Sequence, residues 1–151
     1  MILNQQRAVR VPLEELERFL ERLRRLLGAP AEAVSICLVS DRQIARWNRL
    51  YRGKNRATDV LSFPAHEDGT RSQFGSQRYP RSVASNGYWG DIAIAPAVAR
   101  KNSRRIGRTL DSELRLLILH GVLHLMGYDH ESDRGEMERY EKRLRRKLAL
   151  T

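Results

Sequence analysis

The feature that most constrains the fold of this chain is a dense apolar run in its second half. Between Thr109 and Gly127 the large apolar residues recur at helical spacing and occupy more than one face of the expected helix. They are Leu110, Leu114, Leu117, Ile118, Val122, Leu123 and Met126. A helix that is apolar around most of its circumference is stable in water only when other elements surround it. The run therefore predicts a central, buried helix.

Other patterns predict the elements that surround this helix. Further helices are expected at about 13–27, after Ser40, and from about Glu131 to Leu148. Short β-rich runs predict strands at 34–39, 59–63 and 91–95. The sequence therefore predicts a domain that contains both helices and strands.

The length of the chain and one polar segment indicate how it is organised. A chain of 151 residues suits one domain with a sizeable core, and we assign residues 1–151 to it. The stretch 64–89 is rich in glycine and serine and is unusually long for a connection inside a compact domain. We expect it to be a long polar loop or flap.

The charge of the chain is strongly basic. Its 28 lysines and arginines outnumber 18 acidic residues, which gives a net charge of +10. Such a surplus favours a polyanionic partner, nucleic acid above all, because neutralised phosphates release counterions. A basic surface without any binding role fits the same number, so the charge alone does not identify a partner.

Cysteine content and hydropathy indicate the cellular compartment in which the chain is expected. The single cysteine, Cys37, cannot form an intramolecular disulfide and lies in an apolar run, so we expect it to be a small buried side chain. The chain begins without an apolar leader, and no later apolar stretch is long enough to span a bilayer. We therefore expect a protein of the reducing cytoplasm that does not enter a membrane.

Three histidines near the end of the central helix carry the clearest chemical signal. His120 and His124 are one helical turn apart and project from nearly the same face. Gly127 is suited to end the helix with a positive φ, which would turn His130 back toward the pair. Three imidazoles leave a tetrahedral Zn²⁺ one open position, as in catalytic sites. We predict one metal ion bound by His120, His124 and His130, either zinc or another divalent metal that accepts imidazole ligands, whereas the isolated His66 has no such signal.

The residue after the first histidine departs from the related protease pattern. Zinc proteases with similar spacing place a glutamate there as general base, but this chain has Gly121. Peptide hydrolysis is therefore disfavoured. Candidate bases for other chemistry are Asp129, Glu113 and a substrate phosphate, and the sequence does not choose among them. Asp129 fits better as a residue that caps a turn or the last helix.

Several motifs together resemble the YbeY family of bacterial endoribonucleases and rRNA maturation factors. They are HGVLHLMGYDH at 120–130, NRLYRGK at 48–54, TDVLSFP at 58–64 and GDIAI at 90–94, with Met137 and Glu141 behind them. The resemblance implies a single α+β domain with a small mixed β-sheet, about five helices, and the metal site at the end of the central helix. It implies a zinc-dependent, single-strand-specific endoribonuclease. The expected role is in maturation of the 3′ end of 16S rRNA and in ribosome quality control.

The resemblance also assigns roles to basic residues. The functionally important arginine of the family falls on Arg52, which we take as catalytic because a guanidinium can clamp a phosphate and offset developing charge. Arg49 and Lys54 are weaker candidates for binding substrate. The expected partners are rRNA and the small ribosomal subunit or its precursors, not DNA.

Two other hypotheses compete with that of a zinc-dependent endoribonuclease. In the first, the chain is a non-catalytic ribosome-assembly factor that binds RNA and holds a structural metal. In the second, it is a metallopeptidase, which Gly121 disfavours.

Overall fold

The computed structural model describes residues 1–65, 87–129 and 131–150 of the chain. These residues form four strands and five helices. In chain order the elements are β1 (Ile2–Asn4), α1 (Leu13–Leu27), β2 (Val34–Leu38), α2 (Asp41–Arg52), β3 (Val60–Pro64), β4 (Gly90–Ile94), α3 (Pro96–Arg105), α4 (Leu110–Leu125) and α5 (Glu136–Lys147). The expectation of one α+β domain with a small mixed sheet and about five helices is confirmed.

The four strands form a single mixed sheet in the order β1-β2-β4-β3. The first three run parallel, whereas β3 pairs with β4 in antiparallel fashion, with Ser62 opposite Ile92. Within the described residues β3 is an edge strand, paired along one side only. This edge borders the site described below.

Alternating side chains along the strands build two apolar layers. Ile36 and Ile92 belong to the larger core, together with apolar residues of α1, α4 and α5. Cys37 and Ala93 point to the opposite face, where they meet Trp47 of α2. Cys37 is fully buried and is not part of a disulfide, as its apolar surroundings in the sequence predict.

The dense apolar run between Thr109 and Gly127 forms α4, and it lies at the centre of the molecule. It packs on β3 and β4 and contacts α1, α3 and α5. Close approach to the sheet depends on Gly121, because a Cβ atom there would lie 2.9 Å from Cδ1 of Ile92. The carbonyl of Gly121 accepts a hydrogen bond from Ser62 Oγ at 3.3 Å. The position where proteases carry a glutamate therefore faces the sheet.

The structure differs from the sequence-based expectations in several places. The last helix begins at Glu136, not near Glu131, because Asp133 accepts hydrogen bonds from the backbone N–H groups of Gly135 and Met137 and so caps it. No sequence pattern predicted β1 or α3.

Part of the predicted flap 64–89 lies within the description. Pro64 ends β3, and the Ala65 N–H donates to the Trp89 carbonyl at 2.9 Å, which continues the pairing of β3 with β4. Residues 66–86, which include His66, lie outside the described residues. Among the described helices, none combines the length and the apolarity that a membrane crossing requires.

Candidate metal centre and its cleft

The two histidines of α4 form the core of the site. His120 and His124 lie one turn apart on the helix, and their Nε2 atoms are 3.0 Å apart. Both rings are only partly buried. The predicted alignment of the two imidazoles on one helix face is therefore present in the structure.

The other ring nitrogen of each histidine is held by a hydrogen-bond acceptor. Nδ1 of His120 lies 3.1 Å from Oε1 of Glu141 on α5, and Nδ1 of His124 lies 3.0 Å from the carbonyl oxygen of Tyr128. A carboxylate and a carbonyl only accept, so each Nδ1 carries the proton and donates it. In the neutral rings both Nε2 lone pairs then face each other.

This arrangement suits a bound cation. Two facing lone pairs at 3.0 Å repel one another unless a positive charge lies between them. Zinc–nitrogen bonds of 2.0–2.1 Å meeting at a tetrahedral angle would hold the two nitrogens about 3.3 Å apart, close to the spacing seen. Acceptors on the remote ring nitrogen are also typical of metal-binding histidines. The donor set therefore fits a metal ion.

The third predicted ligand, His130, lies outside the described residues. The described residues alone contain no group of three histidines, cysteines or acids placed to hold a metal. The turn that leads to His130 is described as far as Asp129. Gly127 has a φ of +100°, which confirms the predicted helix-ending conformation, and the Tyr128 N–H returns to the Leu123 carbonyl at 3.1 Å.

An open cleft of about 490 Å³ adjoins the histidine pair. Residues of β3 form one wall of the cleft, and the last turn of α2 lies at its edge. Arg52, in the last turn of α2, lines this cleft together with His120 and His124. Arg49 and Lys54 are exposed and are not among the residues found to line it. Of the three predicted basic residues, the structure thus brings one beside the histidines.

The position of Arg52 follows from how α2 ends. Gly53 closes the helix with a φ of +69°, and the chain then turns sharply away. The buried Asn48 side chain donates to the Arg56 carbonyl at 3.0 Å and so fixes this turn. Asn48 is therefore a partner of the local backbone, and Arg52 is left exposed at the cleft.

Acidic groups outnumber basic ones along the described lining of the cleft. Arg52 is the only lysine or arginine there, whereas Asp59, Asp129 and Glu131 contribute carboxylates. The Asp59 carboxylate accepts from Asn102 at 3.3 Å, and Asp129 accepts from the backbone N–H of Glu131 at 3.1 Å. A surplus of carboxylates beside two imidazoles is a further reason to expect a cation in this cleft.

The structure shows which of the two candidate bases, Glu113 and Asp129, lines the cleft. Glu113 is buried and paired with Arg108 at 2.9 Å, and it is not among the residues that line the cleft. Asp129 does line the cleft, although its carboxylate also caps the turn at Glu131 and Ser132. Asp129 is therefore the better placed of the two.

Two residues at the site received no role from sequence reasoning. Tyr51, in the last turn of α2, is 41% exposed and lines the cleft. Glu141 matched the family pattern, yet its contact with His120 joins residues 21 positions apart. Only a three-dimensional arrangement of α4 and α5 reveals it.

Comparisons with known proteins agree across almost the whole chain. The family model described as Endoribonuclease YbeY matches residues 1–149. The chain is 41% identical over 150 residues to a protein of Koribacter versatilis named Endoribonuclease YbeY. The aligned region covers 99% of this chain and 86% of that protein. It is 38% identical over 133 residues to the protein of that name from Helicobacter pylori, with 88% and 83% covered. The solution structure of TM1509 from Thermotoga maritima has 28% sequence identity and a TM-score of 0.59 over 98% of this chain and 89% of that one.

Proposed function

The chain belongs to the YbeY endoribonuclease family, and we therefore propose that it is a zinc-dependent endoribonuclease that cleaves single-stranded RNA. Its proposed substrates are rRNA and precursors of the small ribosomal subunit. Its proposed tasks are maturation of the 3′ end of 16S rRNA and ribosome quality control.

The observation that carries the proposal is the facing pair of Nε2 atoms, 3.0 Å apart, in a cleft beside Arg52. Glu141 and the Tyr128 carbonyl hold the Nδ1 atoms, so the two Nε2 atoms face one another in an orientation that suits one shared cation. We propose His130 as the third ligand. A zinc ion bound there would polarise a phosphoryl oxygen or lower the pKa of a water molecule.

Other residues of the chain have the remaining roles in the proposed reaction. The Arg52 guanidinium stands at the cleft rim, where it can form paired hydrogen bonds with phosphate oxygens and offset the charge that develops during cleavage. Glu141 orients His120, and the turn at Tyr128 orients His124. Asp129, which lines the cleft, is the proposed acceptor of a proton from the attacking group, and Arg49 and Lys54 are proposed to contact RNA outside the cleft.

Peptide hydrolysis is the less suitable chemistry for this site. The position after His120 is Gly121, which lies against Ile92 of the sheet, so no glutamate side chain reaches the cleft from there. The other competing hypothesis is a non-catalytic assembly factor with a structural metal. Chelation separates these possibilities, because only the enzyme hypothesis predicts that chelation stops RNA cleavage.

The test uses purified, nuclease-free protein with single-stranded rRNA and, separately, with a peptide library, each with and without a chelator. Chelator-sensitive cleavage of RNA supports the proposal, whereas cleavage of peptides alone would replace it by a peptidase. RNA binding without cleavage would favour the assembly factor.

Substitution of Arg52 tests the catalytic role within the same assay. Arg52→Glu is expected to abolish cleavage while the metal content stays unchanged. Arg46→Glu, an equal change of charge at an exposed position of the same helix, is the matched control. An active Arg52→Glu protein would remove this residue from the mechanism.

A further inference from the structure

A second cleft adjoins His120. It has a volume of about 270 Å³ and is lined by the start of β3 and by residues of α4 and α5. Asp59, Val60 and His120 line both clefts, so the two meet at His120. A chain molecule that enters one cleft and passes His120 would therefore continue into the other.

Two arginines line the second cleft, and their surroundings differ. Arg108 is engaged by the buried Glu113, with Nη1 and Oε2 2.9 Å apart. Arg145 of α5 is half-buried and forms no ion pair with any of the described residues. The cleft thus offers one arginine whose charge is already balanced and one that has its hydrogen-bonding capacity available.

The acidic side chains in the second cleft do not compete strongly for Arg145. The Asp59 carboxylate accepts from Asn102, and the Glu141 carboxylate accepts from His120. Neither lies within ion-pair distance of Arg145. An unpaired guanidinium in a concave, partly desolvated setting is a suitable binding group for a phosphate.

Arg145 lies close in sequence to the residue that contacts His120. Glu141 is one turn before Arg145 on the same helix face, and four residues advance the helix by about 6 Å. Arg52 lies in the first cleft and Arg145 in the second, with His120 where the clefts meet.

We propose that Arg145 binds a backbone phosphate of the RNA substrate next to the scissile one, in a subsite formed by the second cleft. This inference rests on the proposed function and extends it: the RNA backbone would run through both clefts, past the histidine pair. Arg145 is then a substrate-binding residue that acts equally on bound RNA before and during cleavage.

The experiment compares Arg145→Ala with Arg146→Ala, which removes the same charge from an exposed neighbour that lines neither cleft. With a short single-stranded RNA, Arg145→Ala is expected to raise KM about 10-fold with kcat unchanged, as for loss of a charged hydrogen bond used in binding. The dependence of affinity on salt should fall by about 0.7 in logarithmic slope, the share of one phosphate contact. Arg145→Lys should recover most of the affinity.

Two results would overturn the inference. The first is an equal KM for the two alanine variants while the wild-type protein cleaves RNA, a result that leaves the proposed function intact. If the wild-type protein binds RNA without cleaving it, fluorescence anisotropy gives the same comparison through the dissociation constant. A wild-type protein that does not bind RNA at all would overturn both the subsite and the proposed function. Circular dichroism melting curves check that each variant is folded.

Discussion

The contact between Glu141 and His120 is the part of the site that can be tested most sharply. Its two atoms are 3.1 Å apart, and the side chains are 23% and 32% exposed, so solvent screens the pair only in part. Glu141 fixes the ring and keeps the proton on Nδ1, so that the lone pair of Nε2 is oriented to bind a metal. Removing the carboxylate should therefore weaken metal binding without removing a ligand.

The expected magnitude follows from the kind of contact that is lost. Loss of the partner that orients a metal-binding histidine commonly lowers metal affinity by about 10–100-fold, or about 1.4–2.7 kcal/mol. For Glu141→Gln, whose amide oxygen still accepts a hydrogen bond, we expect a loss near 10-fold. For Glu141→Ala we expect a loss nearer 100-fold. Zinc affinity is measured on the metal-free proteins by competition with a chromophoric chelator.

Glu138→Gln provides the matched control on the same helix. Glu138 pairs with Lys142 at 3.2 Å on the exposed surface, where both side chains are more than 60% exposed, so its loss should leave zinc affinity unchanged. Equal zinc affinities for Glu141→Ala, Glu138→Gln and the wild-type protein would refute the reasoning. In that case Glu141 would not orient a metal ligand.

Three further predictions concern the packing and the rim of the site. Gly121→Val should cost roughly 1–3 kcal/mol in urea denaturation, because the added atoms meet Ile92, and Ile92→Val should restore part of it; an unchanged stability would contradict the close approach of α4 to the sheet. Asn48→Ala should cost about 1–3 kcal/mol, since it leaves the Arg56 carbonyl without its donor, and a loss below about 0.5 kcal/mol would argue against that role. Tyr51→Ala should raise KM for RNA about 10-fold if the exposed ring stacks on a base, whereas Tyr51→Phe should not; equal KM values would exclude stacking.

The central helix and the end of that helix were predictable because both depend on local signals. Apolar residues on several faces of one segment require burial, and α4 is buried. A glycine placed after the last apolar residue favours a positive φ, and Gly127 has one. The alignment of His120 with His124 follows from helix geometry alone.

The contacts that complete the site were not predictable, because they join distant parts of the sequence. Glu141 reaches His120 only after α5 has packed on α4, and Arg52 reaches the cleft only after α2 has packed beside β3. β1 is a three-residue strand that depends on pairing with β2, and so short a segment carries no periodicity of its own.

The net charge of the chain predicted the surroundings of the site poorly. A charge of +10 favoured a polyanionic partner, yet the described lining of the first cleft has one arginine and three carboxylates. Charge summed over a chain says nothing about where that charge lies, and α5 alone places several arginines and a lysine on the exposed surface at its C-terminal end. The position of a few groups beside the histidines is what supports RNA chemistry.

The most direct test of the account is a zinc titration of the metal-free protein, with cleavage of single-stranded RNA followed at each step. We expect no cleavage without metal, an increase in rate with added zinc, and saturation at one zinc ion per chain. His120→Ala and His124→Ala should bind zinc weakly and stay inactive over the same range. Cleavage by the metal-free protein at the full rate, or saturation that is unaffected by loss of either histidine, would contradict the proposal that this pair holds the catalytic metal.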